Sequence, residues 1–291
     1  MSQHSPDPTR IILRPGERVY HLDLAPGDVA STLLTVGDPA RVPRITQHFD
    51  EIFLQRQYRE FTTVTGRIGK EKLTVLSTGM GSDNIDIVLN ELELLFNWDL
   101  VHRRPLADRK SFRLIRLGTS GALQPDLPVD SLLVSRWACS MDVLHHFYPK
   151  VDGDAAVERA LNAFAQSHHL PPFSLFPADE TLTNSLLKMH GAQEGFTFTA
   201  SGFYAPQGRE LWKAHADETG LLDWLSSARL NGQRISNVEM ETAALFHLGR
   251  LFGHSIASVS ALLANRPKGA FSDQAEATVD RMIESVLSTL F

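Results

Sequence analysis

The chain has 291 residues, of which 43% are hydrophobic and 21% charged, as is typical of a soluble globular protein. Its 28 Lys and Arg against 34 Asp and Glu give a net charge of −6 without any basic run, so nucleic acid is not expected as a partner. A single cysteine excludes an internal disulfide, and the absence of a signal-like N-terminus or of an apolar run near ~18 residues predicts a cytoplasmic protein that does not bind membranes.

The N-terminal part of the chain is predicted to be irregular before the first strand. Residues 1–30 carry four prolines and little periodicity, and residues 1–20 are expected to form an irregular extension. The apolar residues 33–36 predict a buried strand, which glycine ends at Gly37. A short helix over 40–49 follows, so backbone N–H groups at its start can bind an anion.

Three more strands and a long helix are predicted next. The strand segments have alternating or continuous apolar residues and comprise 52–54, 61–68 and 73–76. A glycine turn containing Gly79 and Gly81 then leads into a helix capped by Asp83. The turn lacks the third glycine of a dinucleotide fingerprint, because Asn84 takes that place, and we reject a dinucleotide site.

Arg116 stands inside an otherwise apolar strand predicted over residues 114–117. The preceding residues 97–110 are polar and are predicted to form a surface excursion, while residues 118–121 are predicted to turn sharply. A buried guanidinium requires an anion, which is either an internal carboxylate or a bound ligand. Ligands lie at the carboxyl ends of strands in α/β sheets, so this strand end is a candidate site.

The second half of the chain continues the alternation of strands and helices. Strands are predicted over 131–135, 196–200, 235–238 and 256–263, and helices over 155–169, 180–190, 239–251 and 279–290. We therefore predict an α/β fold: one three-layer domain over residues 1–291, with a central mixed, largely parallel sheet flanked by helices.

Polar residues follow several predicted strand ends in combinations that suit a nucleoside and phosphate. The arginines Arg41 and Arg116 fit a phosphate, which guanidinium groups bind in a bidentate manner. A carboxylate such as Glu241 accepts hydrogen bonds from two vicinal sugar hydroxyls. Gln207 and Arg209 offer donors and acceptors to a planar heterocycle. These pieces together indicate a nucleoside phosphorylase.

The ordered motifs resemble those of the family-I nucleoside phosphorylases. The similarity extends from about His21 to the C-terminal helix, and its motifs are Gly37-Asp38-Pro39-Ala40-Arg41, Arg59-Glu60-Phe61, Thr78-Gly79-Met80-Gly81, Arg116-Leu117-Gly118-Thr119-Ser120-Gly121 and Val238-Glu239-Met240-Glu241-Thr242-Ala243. The segment from Phe203 to Arg209 resembles the uracil-recognition segment of pyrimidine-specific members. The resemblance implies phosphorolysis of a nucleoside such as uridine, giving uracil and ribose 1-phosphate in nucleoside salvage.

The resemblance also implies a role for each matched residue. The phosphate-binding residues would be Gly37, Arg41, Arg59, Arg116 and Thr119. The ribose-binding residues would be His21, Met240 and Glu241. The base-binding residues would be Ser120, Gly121, Phe203, Gln207 and Arg209, and the residues that act on the reaction itself would be Arg116, Arg209 and Glu241.

Assembly is implied as well, since in the family the residues matching His21 and Arg59 reach into a neighbouring subunit's site. The expected assembly is a homo-oligomer, either a dimer or a hexamer built from dimers. Family members also hold a monovalent cation near the residue matching Glu60, so K⁺ at a subunit interface is a further expectation. No other metal or cofactor is expected, and phosphate is the co-substrate.

Alternative functions remain open at this point. A purine-specific phosphorylase would carry a carboxylate after the last strand, yet residues 261–266 contain none. A hydrolytic nucleosidase would lack the phosphate arginines, which are present here. A nucleoside-binding protein without turnover is the non-enzymatic alternative. Val238 stands where an aromatic is usual, so the choice among uridine, deoxyuridine and thymidine is also open.

Overall fold

The computed structural model describes residues 9–209 and 220–291; the first eight residues of the predicted N-terminal extension lie outside these ranges. The described strands are β1 (Leu13–Arg14), β2 (Arg18–Val19), β3 (Thr32–Val36), β4 (Glu51–Tyr58), β5 (Phe61–Ile68), β6 (Glu71–Ser77), β7 (Trp98–Asp99), β8 (Arg104–Pro105), β9 (Arg113–Ala122), β10 (Leu132–Ser140), β11 (Ser174–Pro177), β12 (Ala192–Thr199), β13 (Ile235–Glu239), β14 (Ser255–Asn265) and β15 (Ala270–Phe271). The helices are α1 (Arg41–Thr46), α2 (Ser82–Asn97), α3 (Ala155–Ser167), α4 (Glu180–Leu186), α5 (Leu221–Ser227), α6 (Thr242–Phe252) and α7 (Ala275–Leu290), with 3-10 turns at Val143–Phe147 and Ala205–Gln207.

One large mixed sheet organises the fold. Its strand order is β15-β14-β10-β12-β13-β9-β3-β6-β5-β4, with β11 on β10. Parallel ladders join the inner strands β10–β12–β13 and β9–β3–β6, whereas both ends of the sheet pair antiparallel. A second ladder from β9 to β14 closes β9, β14, β10, β12 and β13 into a ring, so β9 is paired to three strands.

Helices cover both faces of this sheet, and the predicted three-layer α/β fold is confirmed. Alternate strand residues such as Leu114 and Ile256 pack in a core with α2 and α6. Their sequence neighbours Ile115 and Ala257 pack in a second core with α1, α4 and α7. Successive strand residues point to opposite faces of the sheet, and helices cover both faces. The inner strands are therefore almost continuously apolar. None of the helices in the described ranges is long and apolar enough to span a membrane.

The predicted turn over residues 118–121 is wrong, because β9 runs straight through it to Ala122. This segment pairs with β14 on one side, from Gly118 opposite Ser260 onward, and with β13 on the other, where Gly121 lies opposite Val238. The β14 ladder pairs all four residues on one edge, and the β13 ladder pairs Gly121 on the other, which holds the segment extended. Local glycine content therefore indicates a turn only where no long-range pairing competes.

The predicted helix start at 239 is also wrong. β13 continues through Glu239, Glu241 is the N-cap residue, and α6 begins at Thr242. Arg59 and Glu60, just before the predicted strand 61–68, form the two-residue turn between β4 and β5, where Arg59 has a φ of 52°. Glu239 and Glu241 therefore lie at and just after the end of β13, and Arg59 and Glu60 follow the end of β4.

Two buried histidines lie between α6 and the 3-10 turn at Val143–Phe147. The Nδ1 atoms of His145 and His247 are 3.0 Å apart, and Nε2 of His247 lies 2.9 Å from the carbonyl oxygen of Pro149. Burial, with a smaller contribution from His247, lowers the pKa of His145 to about 3. Burial also lowers the pKa of His247. Both rings are therefore neutral in the folded protein at neutral pH.

We expect the free energy of unfolding to fall as the pH drops from about 6.5, the ordinary histidine pKa, toward 3. The unfolded chain then binds protons that the folded protein does not, at about 1.4 kcal/mol per pH unit for each proton. Urea unfolding at several pH values in this window should give a shallower slope for His145→Gln than for the wild type. Equal slopes would show that the histidine pair does not titrate in this way.

Candidate active site

The loops after β3 and β6 meet at the start of α1. A Cβ at Gly37 would lie 3.3 Å from the carbonyl oxygen of Gly79, so the two loops pass closely. Arg41 opens α1 and is half-buried. Burial and the nearby positive charge of Arg116 lower its pKa. Within the described ranges the Arg41 guanidinium has neither a hydrogen-bond nor an ion-pair partner, which leaves it free to bind an anion.

Arg116 is buried on β9 and is held by two carboxylates. Its Nη2 atom lies 2.6 Å from Oε2 of Glu241 and 3.1 Å from Oε2 of Glu239. The guanidinium folds back over Gly118, where a Cβ would lie only 1.8 Å from Nη1. Glycine at that position therefore makes the space that the guanidinium occupies.

Glu241 links three parts of the site. Its Oε1 atom accepts a hydrogen bond of 2.8 Å from the backbone N–H of Gly81, and its Oε2 atom accepts one from Arg116. Burial is the largest effect and raises the pKa of Glu241. The positive charge of Arg116 opposes this increase, and the negative charge of Glu239 adds to it. The half-buried Met240 lies between the two glutamates in sequence.

Farther along β9, Thr119, Ser120 and Gly121 are half-buried. The Ser120 hydroxyl accepts a hydrogen bond of 2.9 Å from the Asn237 side chain. Gly121 faces the side chain of Arg266, whose Cγ would lie 3.8 Å from a Cβ at that glycine. Strand β9 therefore leads from the Arg116 cluster toward a second group of polar side chains.

That second group joins Phe203, Gln207 and Arg209. Nη1 of Arg209 donates to Oε1 of Gln207 at 2.6 Å, and the guanidinium carbon lies 3.7 Å from the centre of the Phe203 ring. Gln207 is buried, whereas Phe203 is 49% exposed. Arg266 is close enough to Arg209 for their repulsion to add to burial in lowering the pKa of Arg266, and its Nη1 atom is buried without a partner among residues 9–209 and 220–291.

His21 and Arg59 form a separate cluster through Tyr20. The Tyr20 ring packs edge-on against His21 and lies 5.3 Å below the Arg59 guanidinium. Nδ1 of His21 is 2.8 Å from Oε1 of Glu91, which orients the ring. No hydrogen bond or ion pair joins this cluster to Arg116 in the described parts of the chain. Their predicted roles, which require a neighbouring subunit, remain predictions.

The fit of a cation at Glu60 can be judged from the residues around it. Glu60 is exposed at the tip of the β4–β5 turn. Across residues 9–209 and 220–291 of one protomer, no three His, Cys, Asp or Glu side chains lie together as a metal site. The expected monovalent cation, which oxygen ligands would hold, therefore stays a prediction for an interface with a second copy.

Comparison with known proteins gives this geometry a family. The family model described as "Phosphorylase superfamily" matches residues 31–289. The chain belongs to the phosphorylase superfamily. The predicted resemblance to nucleoside phosphorylases, which are pentosyltransferases, is thereby confirmed.

Individual relatives within the superfamily include enzymes named for both pyrimidine and purine substrates. A uridine phosphorylase from Thermococcus kodakarensis is 29% identical over 88% of this chain and 81% of its own length. A DeoD-type purine nucleoside phosphorylase from Listeria monocytogenes is 26% identical over 80% and 81%. A solved Trypanosoma brucei nucleoside phosphorylase, described as showing uridine phosphorylase activity, is 26% identical with a TM-score of 0.86 over 96% of this chain and 99% of that one.

Sequence reasoning missed several residues that this superfamily member brings into the site. No site role is predicted for Glu239 or Arg266 from the sequence, although Glu239 lies in one of the matched motifs. Glu91, which orients Nδ1 of His21, was not identified because it lies in a long helix 70 residues farther along the chain. Arg266 could have been found, since it follows the end of β14 as the other site residues follow their strands.

We expect Gly118→Ala to raise the phosphate KM by at least about tenfold, the effect of ~1.4 kcal/mol. The new methyl group overlaps the Arg116 guanidinium, which is the end of a flexible side chain and can move away from Glu239 and Glu241. The melting temperature should also fall, because the buried Arg116 loses part of its pairing with the two glutamates. Steady-state kinetics with varied phosphate would measure the effect.

Gly121→Ala is the matched control on the same strand. A Cβ there meets only atoms at 3.8 Å or beyond, so the phosphate KM should stay at the wild-type value. A Gly118→Ala enzyme with the same phosphate KM as Gly121→Ala would contradict the placement of Arg116 at the phosphate.

Proposed function

We propose that this protein is a uridine phosphorylase, which converts uridine and phosphate to uracil and ribose 1-phosphate. The observation that carries the proposal is the arrangement along β9. The Arg116 guanidinium lies over Gly118, whereas Gly121 lies beside Arg266, which in turn is near Arg209 of the Gln207–Arg209 pair. Three strand residues span about 10 Å, comparable to the length of a nucleoside, so phosphate and base fit at opposite ends.

At the phosphate end, Arg41 and Arg116 supply two positive charges. Arg41, the first residue of α1, has no competing partner within the described ranges. Thr119 offers its hydroxyl from β9. Phosphate held here approaches the ribose from the side opposite to the base.

Between the two ends, Glu241 accepts hydrogen bonds from the ribose hydroxyls, and Met240 covers an apolar face of the sugar. As the glycosidic bond lengthens, the ribose C1′ acquires positive charge, and the negative phosphate stabilises it while attacking the opposite face. Arg209 stabilises the negative charge that develops on the departing uracil. The carboxylate of Glu241 adds negative charge near the same sugar.

The base end favours a pyrimidine with two carbonyl groups. Arg209 holds Oε1 of Gln207, which keeps this atom as the acceptor for uracil N3–H and leaves the Gln207 amide to donate to a carbonyl oxygen. Arg266 adds a guanidinium with a buried N–H that has no partner in the described part of the chain. Cytosine presents an amino group in place of one carbonyl and lacks the N3 proton, so donors would face donors.

A purine-specific activity is less well supported by the residues after β14. No carboxylate is present among residues 261–266 to protonate a purine nitrogen. The only amide there, Asn265, is buried and donates to the carbonyl oxygens of Gln124 and Leu127. The next residue is the cation Arg266, which suits a carbonyl acceptor.

We expect phosphate-dependent cleavage of uridine and of its 2′-deoxy or 5-methyl analogues, with cytidine and inosine turned over on the order of 10⁴-fold less efficiently. Buried groups that are left unpaired by the wrong base cause this discrimination. Gln207→Ala should lower uridine turnover and narrow the gap. Absorbance assays of the released base, with and without phosphate, measure both effects. Equal kcat/KM for inosine and uridine would overturn the pyrimidine assignment.

We also propose that the active species is a homo-oligomer in which His21 and Arg59 complete a neighbour's site. Arg59→Ala and Arg116→Ala variants should each have low activity, because each lacks one phosphate contact. Mixed and re-associated, they should recover part of the wild-type activity, since some sites then combine intact residues from both chains. A fully active monomer in sedimentation would overturn this proposal.

A further inference from the structure

Helix α6 begins at the candidate site, and the side chain of its N-cap residue does not cap it. Glu241 occupies the N-cap position, yet its side chain makes no capping hydrogen bond. The first N–H groups of a helix lack partners within the helix and are costly to bury unpaired. The N–H groups of Glu241 and Thr242 are satisfied instead by the side chain of Glu239, at distances of 2.9 to 3.1 Å.

Thr199 extends this capping arrangement by one residue. Its hydroxyl donates to Oε1 of Glu239 at 2.6 Å and accepts from the N–H of Ala243 at 2.9 Å. All of these groups are buried. The start of α6 is therefore fixed to the adjacent strands β12 and β13 through a single carboxylate.

This arrangement leaves the Glu241 carboxylate available to a ligand. An N-cap acid normally turns back onto its own helix. Here that task is done from position 239, so Glu241 can extend to the N–H of Gly81 and to Arg116. A single residue, Met240, separates the carboxylate that holds the helix from the carboxylate that faces the site.

Glu239 also holds Arg116. Nη2 of Arg116 lies between the two carboxylates, at 3.1 Å from Glu239 and 2.6 Å from Glu241. A buried guanidinium that loses its partner is strongly destabilised. When Glu241 binds ribose hydroxyls, Glu239 still supplies a negative charge beside Arg116. The guanidinium can then turn toward phosphate without losing every protein partner.

We propose that Glu239 is a positioning residue, which caps α6 in place of Glu241 and anchors Arg116, and thereby sets the ribose carboxylate and the phosphate arginine in register. The inference rests on the proposed function. Glu239 itself has no free acceptor to offer the ligand, because its oxygens already accept from Thr199, two N–H groups and Arg116.

The same contacts predict an effect on titration. The charged groups that face Glu241 are Arg116 from β9, Arg41 from α1 and Glu239 from β13. Glu239 repels the Glu241 carboxylate and helps to raise its pKa. Removing the charge of Glu239 should lower the pKa of Glu241 by ending the repulsion and by leaving Arg116 to Glu241 alone. Activity that needs ionised Glu241 should then persist to lower pH.

The test is Glu239→Gln, which keeps the size of the side chain but turns one acceptor into a donor. We expect kcat to fall roughly 10- to 100-fold, as expected for losing hydrogen bonds to a charged group. The acid limb of the kcat/KM profile should move to lower pH. In a Glu241→Gln background the same change should cost less, because Glu239 acts in part through Glu241.

A matched control is Asp130→Asn. Asp130 accepts from the hydroxyls of Ser272 and Thr278 at the start of α7, away from the candidate site. This variant should lower the melting temperature while kcat and the pH profile remain as in the wild type. If Glu239→Gln behaves like Asp130→Asn, the proposed positioning role is wrong and Glu239 only stabilises the fold.

A measurement without turnover separates this inference from the proposed function. The Glu241 carboxyl can be titrated by ¹³C NMR in the ligand-free protein, with its signal assigned from Glu241→Gln. A lower pKa in Glu239→Gln supports the inference even if uridine is not the substrate, and an unchanged pKa overturns it. Wild-type protein that cleaves no nucleoside with phosphate would overturn the proposed function only.

Discussion

A guanidinium buried in a sheet requires negative charge, and this requirement organises the centre of the molecule. Arg116 lies on the strand that pairs with three others, and it has two glutamates from the end of β13 as partners. The Arg116 guanidinium thereby links the ring of strands to the start of α6. A residue that is costly to bury is retained where its charge is needed for a ligand.

The free-energy cost of burying the Arg116 charge is limited because the two neighbouring glutamates have different partners. Glu239 is fully used by protein donors, whereas Glu241 retains the capacity to exchange a protein partner for ligand hydroxyls. Arg41 adds a second cation that has no protein partner in the described ranges. In the proposed reaction the site is therefore prepared for an anion and a sugar before either binds, which lowers the reorganisation needed.

The proposed specificity for the base depends on a different set of contacts at the other end of β9. Arg209 stacks on Phe203 and fixes the oxygen of Gln207, while Arg266 approaches from the end of β14. Cations and amides dominate here, in contrast to the carboxylates around the ribose. This distribution of donors suits carbonyl groups on the base. No acid that could protonate a purine is present among residues 261–266.

The sequence by itself determined the fold class, the family and the order of the motifs, because apolar periodicity and residue types at strand ends are local properties. Helix α7 and the strand around Arg116 were found in this way. Boundaries were less accurate: residues 118–121 have the composition of a turn, yet pairing with β13 and β14 keeps them extended. Long-range ladders of this kind leave no local signal.

Only the tertiary structure decided which residues act together. Residues 239 and 241 are equivalent acids in the sequence, and their separate roles depend on where β13 ends and on the positions of Thr199, Gly81 and Arg116. The approach of Arg266 to Gly121 likewise depends on the β9–β14 ladder, which joins segments about 140 residues apart. Such contacts depend on the packing of distant strands, and that packing is set by the whole chain.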